Sequence, residues 1–512
     1  MAIVQELTTA EGSSHRRLGL SSPVTLESIG EIEVANAADV RAAVSRAREA
    51  QRKWALLGFK ERGSYLKRAL SILLEKQDDY LEVILRETGK PRVEAVFTEI
   101  FASCDFLSYW AKHSGRILKE RKRRMHLLGP LKKLRIIYKP LGVVGVVTPW
   151  NAPFVLSLNA TAQALMAGNA VLLKPSEVTP YGGKLVGDLF EEAGLPEGLL
   201  QVLLGDGETG AALIEEGIDK MAFTGSVATG RRVAEACASR LIPCTLELGG
   251  KDPLIVCADA DLDRAVGGAL FGAMMNAGQV CMSAERIYVV EEVADEFIEK
   301  IVEKARGLRQ SDTGESDIGP IIQSRQLAII ERHVEDARAK GADILLGGRR
   351  NPDLKGLYFE PTVMTGLSDD MLIMSEETFG PIVAIVRVKD EEEALERANR
   401  SDYGLNSSVW TRDKAKGMAL ARRINSGSVC INDWAVTYGA AEAPFGGVKN
   451  SGLGQTNGDA GLLGFCHAQP ILSDRFGRKD EMVWYPYTAE TEKGLQRAMK
   501  FLWGSRLGRM FF

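Results

Sequence analysis

Histidine is scarce in this chain, with five in 512 residues and none at metal-ligand spacing. That argues against a metalloenzyme and predicts no bound metal. Cysteine is thinly used as well: seven are scattered at Cys104, Cys237, Cys244, Cys257, Cys281, Cys430 and Cys466. With no CxxC and no paired framework, they read as reduced thiols of a cytoplasmic protein. Long apolar runs are missing too. The start, "MAIVQELTTAEGSSHRR", has no signal-peptide core, and nowhere is there an apolar run long enough to span a bilayer. A formal net charge of −4 excludes bulk attraction to nucleic acid.

What is present supports large cores. At 45% hydrophobic and 26% charged, a chain of this length predicts two or three domains. From about Ala38 to Leu85 apolar residues recur at three and four, a helical period. A basic interval follows at 116–135, nine Lys or Arg against one Glu, without the interleaved aromatics of a nucleic-acid surface. At Leu141 the character changes. "GVVGVVTPW" reads as a strand, "VLSLNATAQALMAGN" as a helix closed by Gly168-Asn169, and "AVLLKP" as a second strand. Thr179-Pro180 opens the next helix. The alternation runs on through "QVLL", "KMAF" and "TLEL", then resumes from "DPLIVC" to "SVCIN". Strands alternating with helices predict an α/β fold of parallel, doubly wound sheets, in two domains.

Several short segments carry chemistry. In "MMNAGQVCMSAER", Cys281 follows Asn276, Gly278 and Gln279, residues of turns and open backbone. Taken alone it reads more readily as a small buried hydrophobe. Glu247 lies in "LELGGKD", where Gly249-Gly250 leave its carboxylate unobstructed. A cysteine matched with a glutamate and no histidine allows a thioester that activated water hydrolyses. Asn151, in "TPWN", can donate to an oxyanion or simply make a turn. "FTGSVATG" sets Gly225 and Ser226 at a helix mouth fit for a pyrophosphate, or for a plain cap. In "LLKPSE", Lys174 ends a strand and Glu177 follows; a carboxylate there accepts from a ribose 2′-hydroxyl and repels a 2′-phosphate. "EETFGP" supplies Glu377 and Phe379 in a rigid turn, and "PFGGVKNSG" is a glycine-rich packing loop.

In chain order, "TPWN", "LLKPSE", "FTGS", "LELGGKD", "NAGQVC", "EETFGP" and "PFGGVKNSG" together resemble the aldehyde dehydrogenase family from about Ala35 to Gln469. The resemblance implies an aldehyde dehydrogenase-like α/β fold with a small β oligomerisation element. It implies an NAD-binding domain at 1–119 and 139–247, a catalytic domain at 248–443, an oligomerisation element at 120–138 and 458–478, and a basic amphipathic extension at 479–512. It implies NAD-dependent oxidation of an aldehyde to the acid through a thiohemiacetal and thioester, with Cys281 as nucleophile, Glu247 activating water and Asn151 holding the oxyanion. Thr148, Pro149, Trp150, Lys174, Ser176, Glu177, Gly205, Gly207, Phe223, Thr224, Gly225, Ser226, Leu248, Gly249, Glu377 and Phe379 match cofactor-contacting positions. Glu177 favours NAD over NADP, and Glu247 favours hydrolysis over transfer to coenzyme A.

The segment before the cysteine departs from the family in carrying Met274-Met275. With Phe154, Leu156, Asn159, Val280, Met282, Trp434 and Phe445 as substrate-lining candidates, the funnel is largely apolar. The expected substrate is a medium- or long-chain aliphatic or an aromatic aldehyde, with succinate semialdehyde or another ω-semialdehyde as the alternative. A catalytically silent member is the third reading. A homodimer or homotetramer is expected. The basic tail, with Leu495, Met499 and Leu502 on one face, docks on its own subunit or a neighbour, or else lies on an anionic membrane.

Overall fold

Val143–Val147, four valines around one glycine, is a central strand of a six-stranded sheet. The structure, a computed structural model, describes residues 4–7, 15–434, 436–481 and 483–506. On one side of Val143–Val147 lie Ala170–Lys174 and then Leu200–Val202; on the other lie Lys220–Thr224 and then Cys244–Glu247, all parallel. Strand order therefore reverses between Val143–Val147 and Lys220–Thr224. In such sheets a ligand crevice opens beyond the carboxyl ends at that reversal. The edge strand, Gly452–Leu453, pairs antiparallel with Leu246 and Glu247.

The second sheet has seven strands, in the order Asp343–Leu346, Thr362–Thr365, Ile382–Val388, Ala284–Val290, Asp252–Val256, Ser408–Trp410 and Cys430–Ile431. Only Asp343–Leu346 at its edge runs antiparallel. Asp252–Val256 and Ala284–Val290 are buried throughout, as expected of strands covered on both faces.

Local chemistry sets the helices. Asn36 caps Ala37–Trp54 in a capping box with Asp39. Its apolar stripe (Val40, Ala43, Val44, Ala47, Trp54) is buried, and Trp54 Nε1 donates to Leu165 O at 2.8 Å. Burying each large side chain of this kind contributes about 2 kcal/mol. Pro180 stands at the first turn of Pro180–Glu192. Gly168, at φ 95°, takes the left-handed position that ends Pro153–Met166. A three-stranded antiparallel sheet near the start, Val4–Leu7, Arg17–Ser21 and Ser28–Glu33, has no counterpart in the sequence reading.

Both large sheets lie in one compact unit, within Met1–Ile117 and Pro140–Phe465. A smaller unit lies within Leu118–Lys139 and Cys466–Phe512. It carries the sheet of Arg121–Arg123, Lys132–Pro140 and Cys466–Asp474 and the helix Ala489–Met499. Helix Gly458–Leu463 belongs to the larger unit, and the small unit's second segment begins at Cys466. The basic interval is partly neutralised: Arg135 bonds Glu120 at 2.7 Å, and Lys132 meets Asp474 at 2.8 Å. In the tail helix Leu495 and Leu502 are half-buried and Met499 is exposed; the segment 507–512 lies outside the described residues. Among the described residues no helix is long and apolar enough to cross a membrane.

Candidate active site

Four strands of the six-stranded sheet deliver their carboxyl ends to one place. Val143–Val147 runs out into Thr148, Pro149, Trp150 and Asn151, and Ala170–Lys174 ends on Lys174. Lys220–Thr224 leads to Gly225 and Ser226, and Cys244–Glu247 ends on Glu247. Most of the residues that the sequence reading selected therefore converge at the reversal of strand order.

At the helix mouth Ser226 caps Val227–Ser239, accepting from Thr229 N at 3.4 Å. A carbon added to Gly225 would come within 2.7 Å of the Phe223 ring, and one on Gly230 within 2.4 Å of Leu248. The turn thus has room for backbone only; the Gly225 amide donates to Glu247 O at 3.0 Å, so an anion here would meet the start of helix Val227–Ser239. Lys174 is buried, with Nζ 3.0 Å from Pro175 O and 3.4 Å from Glu177 Oε2. Burial lowers its pKa, and Glu177 opposes that shift. Thr148 Oγ1 and Ser157 Oγ share a hydrogen bond of 2.7 Å, and Ser176 Oγ accepts from Val178 N. Gly205 has φ 156°, packed over Thr209, and Gly207 begins the next helix.

The second sheet brings "EETFGP" to the same crevice. Glu285 accepts from the N–H groups of Thr378 and Phe379, each at 2.8 Å, and from Lys251 Nζ at 2.5 Å. These bonds hold Phe379 in a left-handed conformation, φ 52°, with its ring edge-on to Trp150 at 5.4 Å. The Glu377 carboxylate accepts from Gly250 N at 3.1 Å. Burial, reinforced by Glu285, pushes its pKa up to about 8. A nicotinamide dinucleotide fits this donor set, with a glycine cradle and helix end at one side and a carboxylate at the other.

Cys281 follows a loop in which Asn276, Ala277 and Gly278 all have positive φ (55°, 53° and 72°). A carbon on Gly278 would lie 1.9 Å from Gly380 O, so only glycine lets these loops meet. Gln279 ties the loop down: its Nε2 donates to Asn276 O at 2.8 Å and its Oε1 accepts from Ile322 N at 2.8 Å. Asn151 Nδ2 donates to Gln279 O at 2.9 Å, and Asn276 Nδ2 donates to Asn151 O at 2.9 Å. Asn151 and the cysteine loop are thus bonded directly. Cys281 retains some exposure. Burial raises its pKa, with Glu377, Asp252 and Glu247 adding to the effect.

Glu247 is buried, and neither carboxylate oxygen has a hydrogen-bond partner among the described residues. Burial raises its pKa well above the usual carboxylate range. The nearby Thr456 amide opposes this, although its hydrogen bond goes to Phe445 O at 2.7 Å. Leu248 N donates to Ser451 O at 3.0 Å, so the "LELGG" backbone is held by the "GGVKNSG" loop.

The substrate-lining candidates divide. Phe154 is fully buried with its ring edge-on to Tyr80 at 5.5 Å, in the packed interior. Asn159 accepts from Trp110 Nε1 at 2.9 Å and donates to Asn457 at 2.8 Å. Val280, Met282, Trp434 and Phe445 are buried, Leu156 half-buried, and Trp434 Nε1 donates to Met282 O at 3.0 Å. Sequence reasoning missed Tyr438, whose ring meets Phe445 at 5.2 Å and Phe106 at 5.9 Å. Burial raises the pKa of its hydroxyl; Asn159 opposes the shift, and Cys281 and Glu247 add to it. Lys90, Glu99 and Glu285 were missed as well. Lys90 sits between Gly89 and Pro91, Glu99 in a helical stretch and Glu285 at the start of a strand, and sequence alone gives no sign that they are buried.

The Aldehyde dehydrogenase family model matches residues 10–471. A Mycolicibacterium smegmatis protein named as an NADP(+) succinate-semialdehyde dehydrogenase is 41% identical over 87% of this chain and 86% of its own. A Methylomonas protein named 4,4'-diapolycopene aldehyde oxidase is 39% identical over 94% of this chain and 91% of its own. The crystal structure of a Mycobacterium tuberculosis aldehyde dehydrogenase complexed with NAD+ superposes with a TM-score of 0.86 at 35% identity, covering 92% and 96% of the two chains. The chain is an oxidoreductase and belongs to the aldehyde dehydrogenase family.

Proposed function

We propose that this chain oxidises an aldehyde to the free carboxylic acid through a covalent intermediate on Cys281. The Cys281 sulfur, as thiolate, attacks the carbonyl carbon to form a thiohemiacetal. Its oxyanion accepts from the Asn151 amide and the Cys281 backbone N–H. When bound, the nicotinamide supplies the acceptor for the departing hydride. Glu247 then takes a proton from water, the hydroxide adds to the thioester carbon, and the sulfur leaves. The carrying observation is the Glu247 carboxylate, buried with no hydrogen-bond partner among the described residues and within the electrostatic reach of the thiol. A desolvated carboxylate with raised pKa is a stronger base toward water than a solvated one. Intact Cys281, Glu247 and Asn151 speak against a catalytically silent member.

NAD is the proposed cofactor, since Glu177 lies beside Lys174 where a 2′-phosphate would meet a carboxylate. The name of the M. smegmatis relative includes NADP(+), which makes cofactor preference a direct test.

For the substrate, apolar Val280, Met282, Trp434 and Phe445 support a medium- or long-chain aliphatic or an aromatic aldehyde. Arg286, five residues after Cys281, spends its guanidinium on Lys251 O, Arg397 O and Ala398 O, not on a substrate carboxylate. The name of the Methylomonas relative fits an apolar substrate. That of the M. smegmatis relative favours the second reading, succinate semialdehyde. Comparing kcat/KM for decanal and succinate semialdehyde separates them. A cytoplasmic homodimer or homotetramer is the proposed form. The tail is proposed to dock on protein; its exposed Trp484, Tyr485, Phe501 and Trp503 favour a subsidiary membrane-surface contact, tested by liposome binding after deleting residues 488–512.

A further inference from the structure

We infer that the buried ion pair of Lys90 and Glu99 is the device that positions Asn151 for the oxyanion. This rests on the role proposed above for Asn151. Lys90 Nζ lies 2.8 Å from Glu99 Oε1, with 1% and 0% of the two side chains exposed. Neither charge has solvent to stabilise it, so both must be spent on protein groups. Lys90 Nζ gives a second hydrogen bond, 3.0 Å, to the Asn151 carbonyl. That carbonyl also accepts from Asn276 Nδ2 at 2.9 Å, so the main chain of Asn151 is gripped from two directions. Glu99 Oε2 accepts from Val155 N at 2.9 Å and Phe154 N at 3.2 Å. These are orphan amides of the first turn of Pro153–Met166, the helix that starts two residues after Asn151.

The pair therefore fixes both the Asn151 peptide and the helix behind it. The side-chain amide of Asn151 is left with one N–H bonded to Gln279 O and a second for a ligand. Glu99 itself comes from an unusual element. Val96–Phe101 is a π-helical turn between α-helical Arg92–Ala95 and Ala102–Leu118. Such turns are rare and concentrate at functional sites. Here it turns a carboxylate inward between exposed Phe97 and Phe101. Lys90 and Glu99 are positioning residues: they act on the substrate only through Asn151.

The test is a double-mutant cycle on the full-length enzyme. The paired variant Lys90→Met with Glu99→Gln removes both charges together and avoids stranding one of them. It is read alone and in an Asn151→Ala background. Expected is a kcat loss of about a hundredfold for the paired variant, the scale set by misplacing a reacting group by an ångström. NAD affinity should be unchanged, and Asn151→Ala should lose no further kcat when the pair is also replaced. Losses that multiply across the cycle would assign the pair a general structural role and overturn the inference. Should the paired variant not fold, Glu99→Asp carries the same cycle. It keeps the charge but shortens its reach, with about a tenfold kcat loss expected, absent in the Asn151→Ala background. Full kcat in Asn151→Ala alone would instead overturn the oxyanion role of Asn151.

Discussion

A carbon placed on the α-carbon of Gly249 would lie 2.3 Å from a carboxylate oxygen of Glu377, inside any permitted contact. The same carboxylate accepts from Gly250 N at 3.1 Å, so residues from the two large sheets meet here without a spare methyl group of space. Gly249→Ala should therefore displace Glu377 and loosen the loop that holds Phe379. NAD binding should weaken roughly tenfold, a loss of about 1.4 kcal/mol. Isothermal titration with NAD checks this, and undiminished affinity would detach Glu377 from the cofactor.

Glu247 predicts opposite pH effects on rate and on stability. As the base it must be ionised, so turnover limited by thioester hydrolysis should climb with pH through its raised pKa. For stability the sign reverses. The folded chain keeps a proton that the unfolded chain releases above the usual carboxylate range, so this stability is full at acidic pH and is lost as pH rises toward the folded value. Glu247→Gln should melt above the parent at pH 8, with the gap closing near pH 4. Scanning calorimetry at both values measures it.

Glu177 should govern the choice between the two nicotinamide cofactors. Parent enzyme should use NAD with a specificity constant well above that for NADP. Glu177→Ser should narrow the difference by about tenfold or more, by removing like-charge repulsion against the 2′-phosphate. Initial rates with both cofactors decide it; equal constants in the parent would remove this role.

The apolar lining predicts preference among substrates. Each buried methylene contributes about 0.8 kcal/mol, so kcat/KM should rise roughly fourfold per carbon from butanal toward decanal until the cavity is filled. Succinate semialdehyde should fall below decanal. The reverse order would favour the semialdehyde reading.

Much of this site was legible because its residues sit at strand ends. "GVVGVV" and "AVLLK" are β-rich, and whatever follows them stands at a sheet's carboxyl edge, so Asn151 and Lys174 could be found without a structure. What brings them to Glu247 and Cys281 was not legible. Val143–Val147 pairs with Lys220–Thr224 across two intervening strands, and no local pattern encodes that neighbour. Gly452–Leu453 is too short to show a period, so the loop that grips Leu248 read only as packing. Ala277 in a left-handed conformation is forced by the loops around it rather than by propensity. Lys90 and Glu99 look like surface charges, since a buried ion pair is a tertiary property.

The most direct measurement is the mass of the Cys281 peptide after Glu247→Gln enzyme is mixed with NAD and an aldehyde and quenched in acid. With water activation removed and hydride transfer intact, the peptide should gain the mass of the acyl group, with about one NADH formed per site and little turnover after it. An unmodified Cys281 peptide from enzyme that goes on producing NADH would contradict Glu247 as the base of thioester hydrolysis and assign the water step elsewhere.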